Sequence, residues 1–170
     1  MSSYIKLIIF IVVLLSISTA IVFIDSSIDN INESMPDISK GIVQGDEDYN
    51  KSVELLNNRY FLNASEKATS AGDNYNDSLH ELEKIRDKYD KDLNDIHKDY
   101  LDTTINELEL KLKAVDNLKQ AVYYLEMYYN YTGSTYGSDA NEIMLDAVKY
   151  QNERNEIVQE NPELFTKSGV

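Results

Sequence analysis

Residues 105–129 read INELELKLKAVDNLKQAVYYLEMYY, and their periodicity decides the fold. Ile105, Leu108, Leu112, Val115, Leu118, Val122, Leu125 and Tyr129 recur in steps of three and four, the spacing that lines side chains along one face of an α-helix. A helix with a single apolar stripe must bury it against another element, so this stretch calls for helical partners.

Three further stripes supply them. Upstream, Ile38, Ile42, Tyr49, Val53 and Leu56 keep helical spacing, with Gly41 and Gly45 weakening the first half, and Asn57 to Tyr60 reads as a turn. Phe61, Ala64, Ala68, Ala71, Tyr75, Leu79, Leu82, Ile85 and Tyr89 continue on a second helix, whose small residues allow close backbone approach. Neither Gly nor Pro occurs between Asp73 and Thr132. An unbroken helix from Phe61 to Tyr131 would run about 105 Å and suit a coiled coil better than a compact domain, so a turn is placed in Tyr89 to Asn94, with Asp90, Asp92 or Asn94 as cap. Tyr131 to Ser138 reads as a turn-rich loop. A last helix then carries Ala140, Ile143, Ala147, Tyr150 and Ile157 on one face and stops at Asn161-Pro162. The predicted fold class is all-α: an antiparallel bundle of about four helices over residues 36–165, Pro36 standing in the first turn.

Before the bundle, Leu7 to Ile24 holds no charge and is long enough for about 27 Å of helix, close to the thickness of a bilayer core. Lys6 precedes it and Asp25, Asp29 and Glu33 follow, a bias that places the N-terminus in the cytoplasm and the bundle outside. The predicted organisation is a short N-terminus and transmembrane anchor at 1–24, a stalk or linker at 25–35, the bundle, and a tail at 166–170. The alternative is a secreted domain released by signal cleavage at Ser18-Thr19-Ala20. It would leave the large apolar residues Ile21 to Ile24 at a new N-terminus.

Thirty acidic against sixteen basic residues give a net charge of −14, and Lys6 is the one charged side chain before Asp25. Such a surface repels phosphate backbones, so nucleic acid is excluded as a partner; the membrane, through the N-terminal helix, and a protein are the partners predicted. The absence of cysteine removes disulfides, thiolate metal sites and thiol nucleophiles.

At residues 49–75, the order Tyr49, Val53, Leu56, Phe61, Ala64, Ala68 resembles one tetratricopeptide-like helix pair, without its usual glycine or closing proline and without a second copy. The anchor, the Ile/Asn/Asp/Tyr-rich composition and the run Leu108 to Leu118 together resemble small membrane-anchored extracytoplasmic helical proteins of methanogenic archaea, which carry no assigned activity. The architecture also resembles extracytoplasmic four-helix sensor domains, although those return to a second membrane helix and nothing from Phe165 to Val170 can span.

Catalytic, metal and cofactor sites are not predicted. His80 and His97 are read as solvated surface residues with no ligand at helical spacing. Asp46-Glu47-Asp48-Tyr49-Asn50 opens like a calcium loop, but Lys51 and Asn57 stand where Gly and Glu are required, so it is read as a solvated helix turn. Tyrosine is the feature that stands out: thirteen in the chain, with Tyr123, Tyr124, Tyr128, Tyr129, Tyr131 and Tyr136 within fourteen residues. Adjacent pairs cannot both face one core stripe. If the helices alternate up and down, Tyr60, Tyr128, Tyr129, Tyr131 and Tyr136 gather at the tip farthest from the membrane as a partner-binding surface. Asn32, Asn50, Asn63, Asn76 and Asn130 open Asn-x-Ser/Thr triplets and are candidate glycan acceptors. The function predicted is a membrane-tethered, non-enzymatic interaction or envelope-structure module; the alternative is a ligand-binding sensor or accessory subunit of a membrane complex.

Overall fold

A computed structural model describes residues 21–23 and 29–167. In chain order they form β1 (Ile21–Phe23), α1 (Asp29–Asn57), α2 (Phe61–Lys88), α3 (Asp95–Glu126), α4 (Asn130–Glu160) and β2 (Phe165–Lys167). The four helices run alternately up and down as an all-helical bundle, with α1–α2 and α3–α4 as tight hairpins and α2 packed on α3. Their stripes meet in one core that includes Tyr49, Leu56, Ala64, Ala68, Tyr75, Leu82, Leu101, Leu108, Leu118 and Ala147.

Local chemistry explains the joints. Asn94 caps α3, its side-chain oxygen accepting the His97 backbone N–H at 2.8 Å, and Leu93 plugs the α2–α3 loop into the core. That cap, together with the bidentate pairing of Arg86 with Asp102 across the joint, divides the long Gly- and Pro-free stretch into two helices. Gly45 leaves room on α1 for the Tyr75 ring of α2, which a Cβ would strike. At the opposite end both hairpins turn in the same way. The Tyr60 N–H reaches back to the Leu55 carbonyl and that of Arg59 to Leu56, while Tyr129 and Tyr128 repeat the pattern onto Tyr124 and Leu125. These are Schellman turns, with Arg59 (φ 61°) and Tyr128 (φ 63°) in the left-handed region.

Several expectations are corrected. Most of the predicted anchor, Leu7 to Ala20, lies outside the described residues; its last part does not continue as a helix, because Ile21–Phe23 pairs antiparallel with Phe165–Lys167. Phe23 is buried there, stacked on His97 at 4.3 Å between centroids and edge-on to Tyr100 and Phe165. Among the described residues no helix is long and apolar enough to cross a membrane.

The stalk placed at 25–35 is helical from Asp29, and Ile31 and Met35 are core residues. Pro36 therefore sits in the second turn rather than the first. It forfeits one backbone bond at a cost of about 3 kcal/mol, which burying Ile31 and Met35 at about 1.5–3 kcal/mol each offsets. The tail contributes Thr166 and Lys167 to β2. Tyr131 to Ser138 is no loop but the start of α4: Gly133 and Gly137 are buried, and a Cβ on Gly133 would lie 2.5 Å from the Leu125 side chain. Glycine here serves close helix approach, which a turn reading of Thr-Gly-Ser-Thr-Tyr-Gly-Ser does not detect.

Candidate functional site

The up-down order puts both Schellman turns at one end of the bundle and the β1–β2 ribbon, with both ends of the described chain, at the other. Among the described residues, seven of the eight large apolar side chains that face solvent belong to the turn end: Tyr60, Leu62, Tyr123, Met127, Tyr128, Tyr129 and Tyr131, while Leu145 lies elsewhere. Tyr128 and Tyr131 are 83% and 87% exposed. Tyr136 differs from the rest of the predicted tip. It is half-buried and stacks parallel on Tyr124, 5.4 Å between centroids, while Tyr129 meets Tyr124 edge-on at 6.2 Å. Tyr124 and Tyr136 thus form a rigid base from which the outer tyrosines project.

These positions are unfavourable for the residues that hold them. A left-handed residue closing a Schellman turn is normally glycine, because a side chain there costs roughly 1–2 kcal/mol. Arg59 and Tyr128 occupy both such positions. The next residue begins a helix, where Ser, Asp or Asn stabilises by about 1 kcal/mol through a side-chain cap. Tyr60 and Tyr129 stand there, and neither side chain caps its helix. The same two local preferences are set aside at both turns, and each time a large side chain reaches solvent.

A second constellation is sealed in the middle of the bundle. The Lys111 ammonium, 0% exposed, lies 2.7 Å from Asp46 Oδ1 and 2.8 Å from Glu107 Oε1, over the Tyr75 ring. The Tyr75 hydroxyl donates to Asp46 at 2.7 Å, and Arg154 lies 3.4 Å from Glu107. Two cations and two anions from α1, α3 and α4 therefore balance without solvent. Burial opposes the charge on Lys111, but Glu107 and Asp46 more than offset it and hold the ammonium above the ordinary lysine value. Burial pushes the Tyr75 hydroxyl well up, and neighbouring Asp46 adds to the shift. Its charges are turned on one another and shut away from solvent, which ties α1, α3 and α4 together through paired ions. Asp46 and Asp48 are thus buried, not a solvated turn; Asp48 receives Lys67 and Ser70, each at 2.6 Å.

Glu107 and Lys111 read in sequence as an ordinary i, i+4 surface pair. The available signal is the helical wheel: at about 100° per residue, Lys111 falls between Leu118 and Val115, inside the core arc.

His80 is exposed, whereas His97 is buried under Phe23 and Phe165, its Nε2 3.2 Å from the Leu164 carbonyl, which corrects its surface reading. Among the described residues no three His, Asp or Glu side chains group as metal ligands. An open groove of about 460 Å³ between α1 and α2 has Ile38 and Gly41 in its lining and the carboxylates Glu33, Asp37, Asp77 and Glu81 around it. Of the candidate glycan acceptors, Asn63, Asn76 and Asn130 are exposed and Asn50 is half-buried. The Asn32 amide holds the Phe23 backbone, accepting its N–H at 2.7 Å and donating to its carbonyl at 2.9 Å. No protein-family model, curated protein or solved structure matches the chain.

Proposed function

We propose that the chain is a non-enzymatic interaction module held outside the cell membrane by its N-terminal apolar run, with the tyrosine-rich end of the bundle as its contact surface. The observation that carries this reading is the repeated choice of Arg59, Tyr60, Tyr128 and Tyr129 where local stability favours Gly, Ser, Asp or Asn. A protein tends to depart from its local preferences where a function needs the departure. Exposed tyrosines offer large, rigid contact area with a polar tip and lose little side-chain entropy on binding. The end that bears them is opposite the one where the N-terminal run joins, so a tether would hold it away from the membrane.

Capture of partners from native membranes by the full chain tests the reading. Tyr128→Ser with Tyr131→Ser is expected to reduce capture at least tenfold while the unfolding midpoint stays within a degree or two. Undiminished capture, or a fall in stability of matching size, would refute it.

Two observations favour variants of this reading. With Ile21–Phe23 in a strand, the uncharged run shortens to Leu7–Ala20, closer to the apolar region of a signal peptide than to a span. Burial of Phe23 also gives a mature N-terminus at Ile21 a place in the fold. N-terminal sequencing of the mature protein decides: Ile21 means a secreted module, and an intact leader means a tethered one. The groove between α1 and α2 favours a ligand-binding accessory subunit, in which small molecules would protect α1 and α2 from hydrogen exchange and leave the tip unaffected.

A further inference from the structure

We infer that the tyrosine-rich end meets the same end of a second copy, forming an isologous, end-to-end dimer. This rests on the interaction reading above and names the partner. Three properties of the surface lead to it.

The first is charge. The molecule carries −14 overall, yet Arg59 is the one charged residue between Asn57 and Ser65, and Glu126 the one between Gln120 and Ser138. Two copies approaching side by side bring their acidic helices together. Approaching end on, they meet through surfaces of no net charge, and most of the acidic helix length lies beyond the screening distance of about 8 Å at physiological salt.

The second is self-complementarity. A two-fold contact presents the same patch twice, so it must supply both halves of any polar pair. This end holds one cation and one anion, both exposed, and among the described residues neither Arg59 nor Glu126 forms an ion pair. Across a two-fold axis Arg59 of one copy faces Glu126 of the other, and the reverse. A strongly charged foreign partner would find only one of the two charges useful.

The third is area. Tyr60, Tyr128, Tyr129 and Tyr131 offer about 600 Å² of ring surface, taking roughly 150 Å² for each. Leu62, Tyr123 and Met127 extend the patch toward the roughly 800 Å² per side of a standard interface.

The chain has no cysteine, so single cysteines report contacts without background. Asn58→Cys and Asn130→Cys place thiols on the two turns without touching the tyrosines or charges, and Glu83→Cys places one on the body of α2. In the full chain, in detergent micelles or in secreted form, where two copies need not stand in one bilayer, a short bismaleimide is expected to yield covalent dimers from the two tip positions and none from Glu83→Cys. In the Asn130→Cys background, Arg59→Glu or Glu126→Arg alone should lower the dimer yield about tenfold, and the two together should restore it. Equal crosslinking from the body, or charge reversals without effect, would overturn the inference. Tip adducts of other masses would overturn it while leaving the interaction reading standing, and no adduct of any size from the tip would remove both.

Discussion

Glycine is the cheapest residue in the left-handed region, so Arg59→Gly and Tyr128→Gly provide a direct measure of what the tip residues cost. Each is expected to raise the unfolding free energy by about 1 kcal/mol: relief of roughly 1–2 kcal/mol of backbone strain, less the larger entropy a glycine loses on folding. Tyr128 is nearly free of packing, so little burial is lost. Urea titrations of the full chain check it; a fall in stability would show that these side chains hold the turns together. At the buried cluster the useful variable is pH. Lys111, Tyr49 and Tyr75 are all held above their ordinary values, by burial in the tyrosines and by the net effect of Glu107 and Asp46 over burial in Lys111. A raised folded-state value means that the unfolded chain loses its proton first as pH climbs. Their contribution is therefore complete below about pH 10, where the unfolded groups begin to titrate, and is lost as pH rises toward the folded values. Thermal midpoints should be insensitive to these groups from pH 7 to 9 and fall steeply above pH 10; a plateau through pH 11 would contradict the assignment.

At the scale of elements, the short β1–β2 ribbon ties both ends of the described chain to the first turns of α3 through Phe23, His97, Tyr100 and Phe165. Phe23→Ala removes the ring that stacks on His97. It should cost about 3–5 kcal/mol, the range for a buried phenylalanine, with helical circular dichroism unchanged at low temperature. A cost below 1 kcal/mol would mean that β1 is not docked in solution. This ribbon is also where the sequence misleads. Ile21, Val22 and Phe23 sit in an unbroken apolar run, and nothing local separates a membrane residue from one that crosses to a distant strand. The helices were more legible, because their stripes are local: α2 starts and ends as the spacing predicts, and Asn94 caps α3. The start of α4 was hidden because glycine both punctuates turns and permits close helix packing, and Gly133 does the second against Leu125.

For the molecule as a whole, the tip was legible in outline and the buried cluster was not. Counting tyrosines and alternating four helices up and down is enough to bring Tyr60, Tyr128, Tyr129 and Tyr131 to one end. It does not show that Tyr136 packs inward on Tyr124, nor that two left-handed turns present the outer rings, since backbone strain leaves no mark in a sequence lacking glycine there. Asp46, Glu107, Lys111 and Arg154 come from three helices and each resembles a solvated residue on its own. The central claim is that this molecule works through the end bearing Tyr128 and Tyr131, and site-specific photo-crosslinking in living cells tests it most directly. A benzophenone side chain placed at Tyr131, compared with one at the exposed Glu83 on α2, is predicted to give discrete adducts from position 131 and only background from position 83. Adducts of equal yield from both positions, or from position 83 alone, would contradict it.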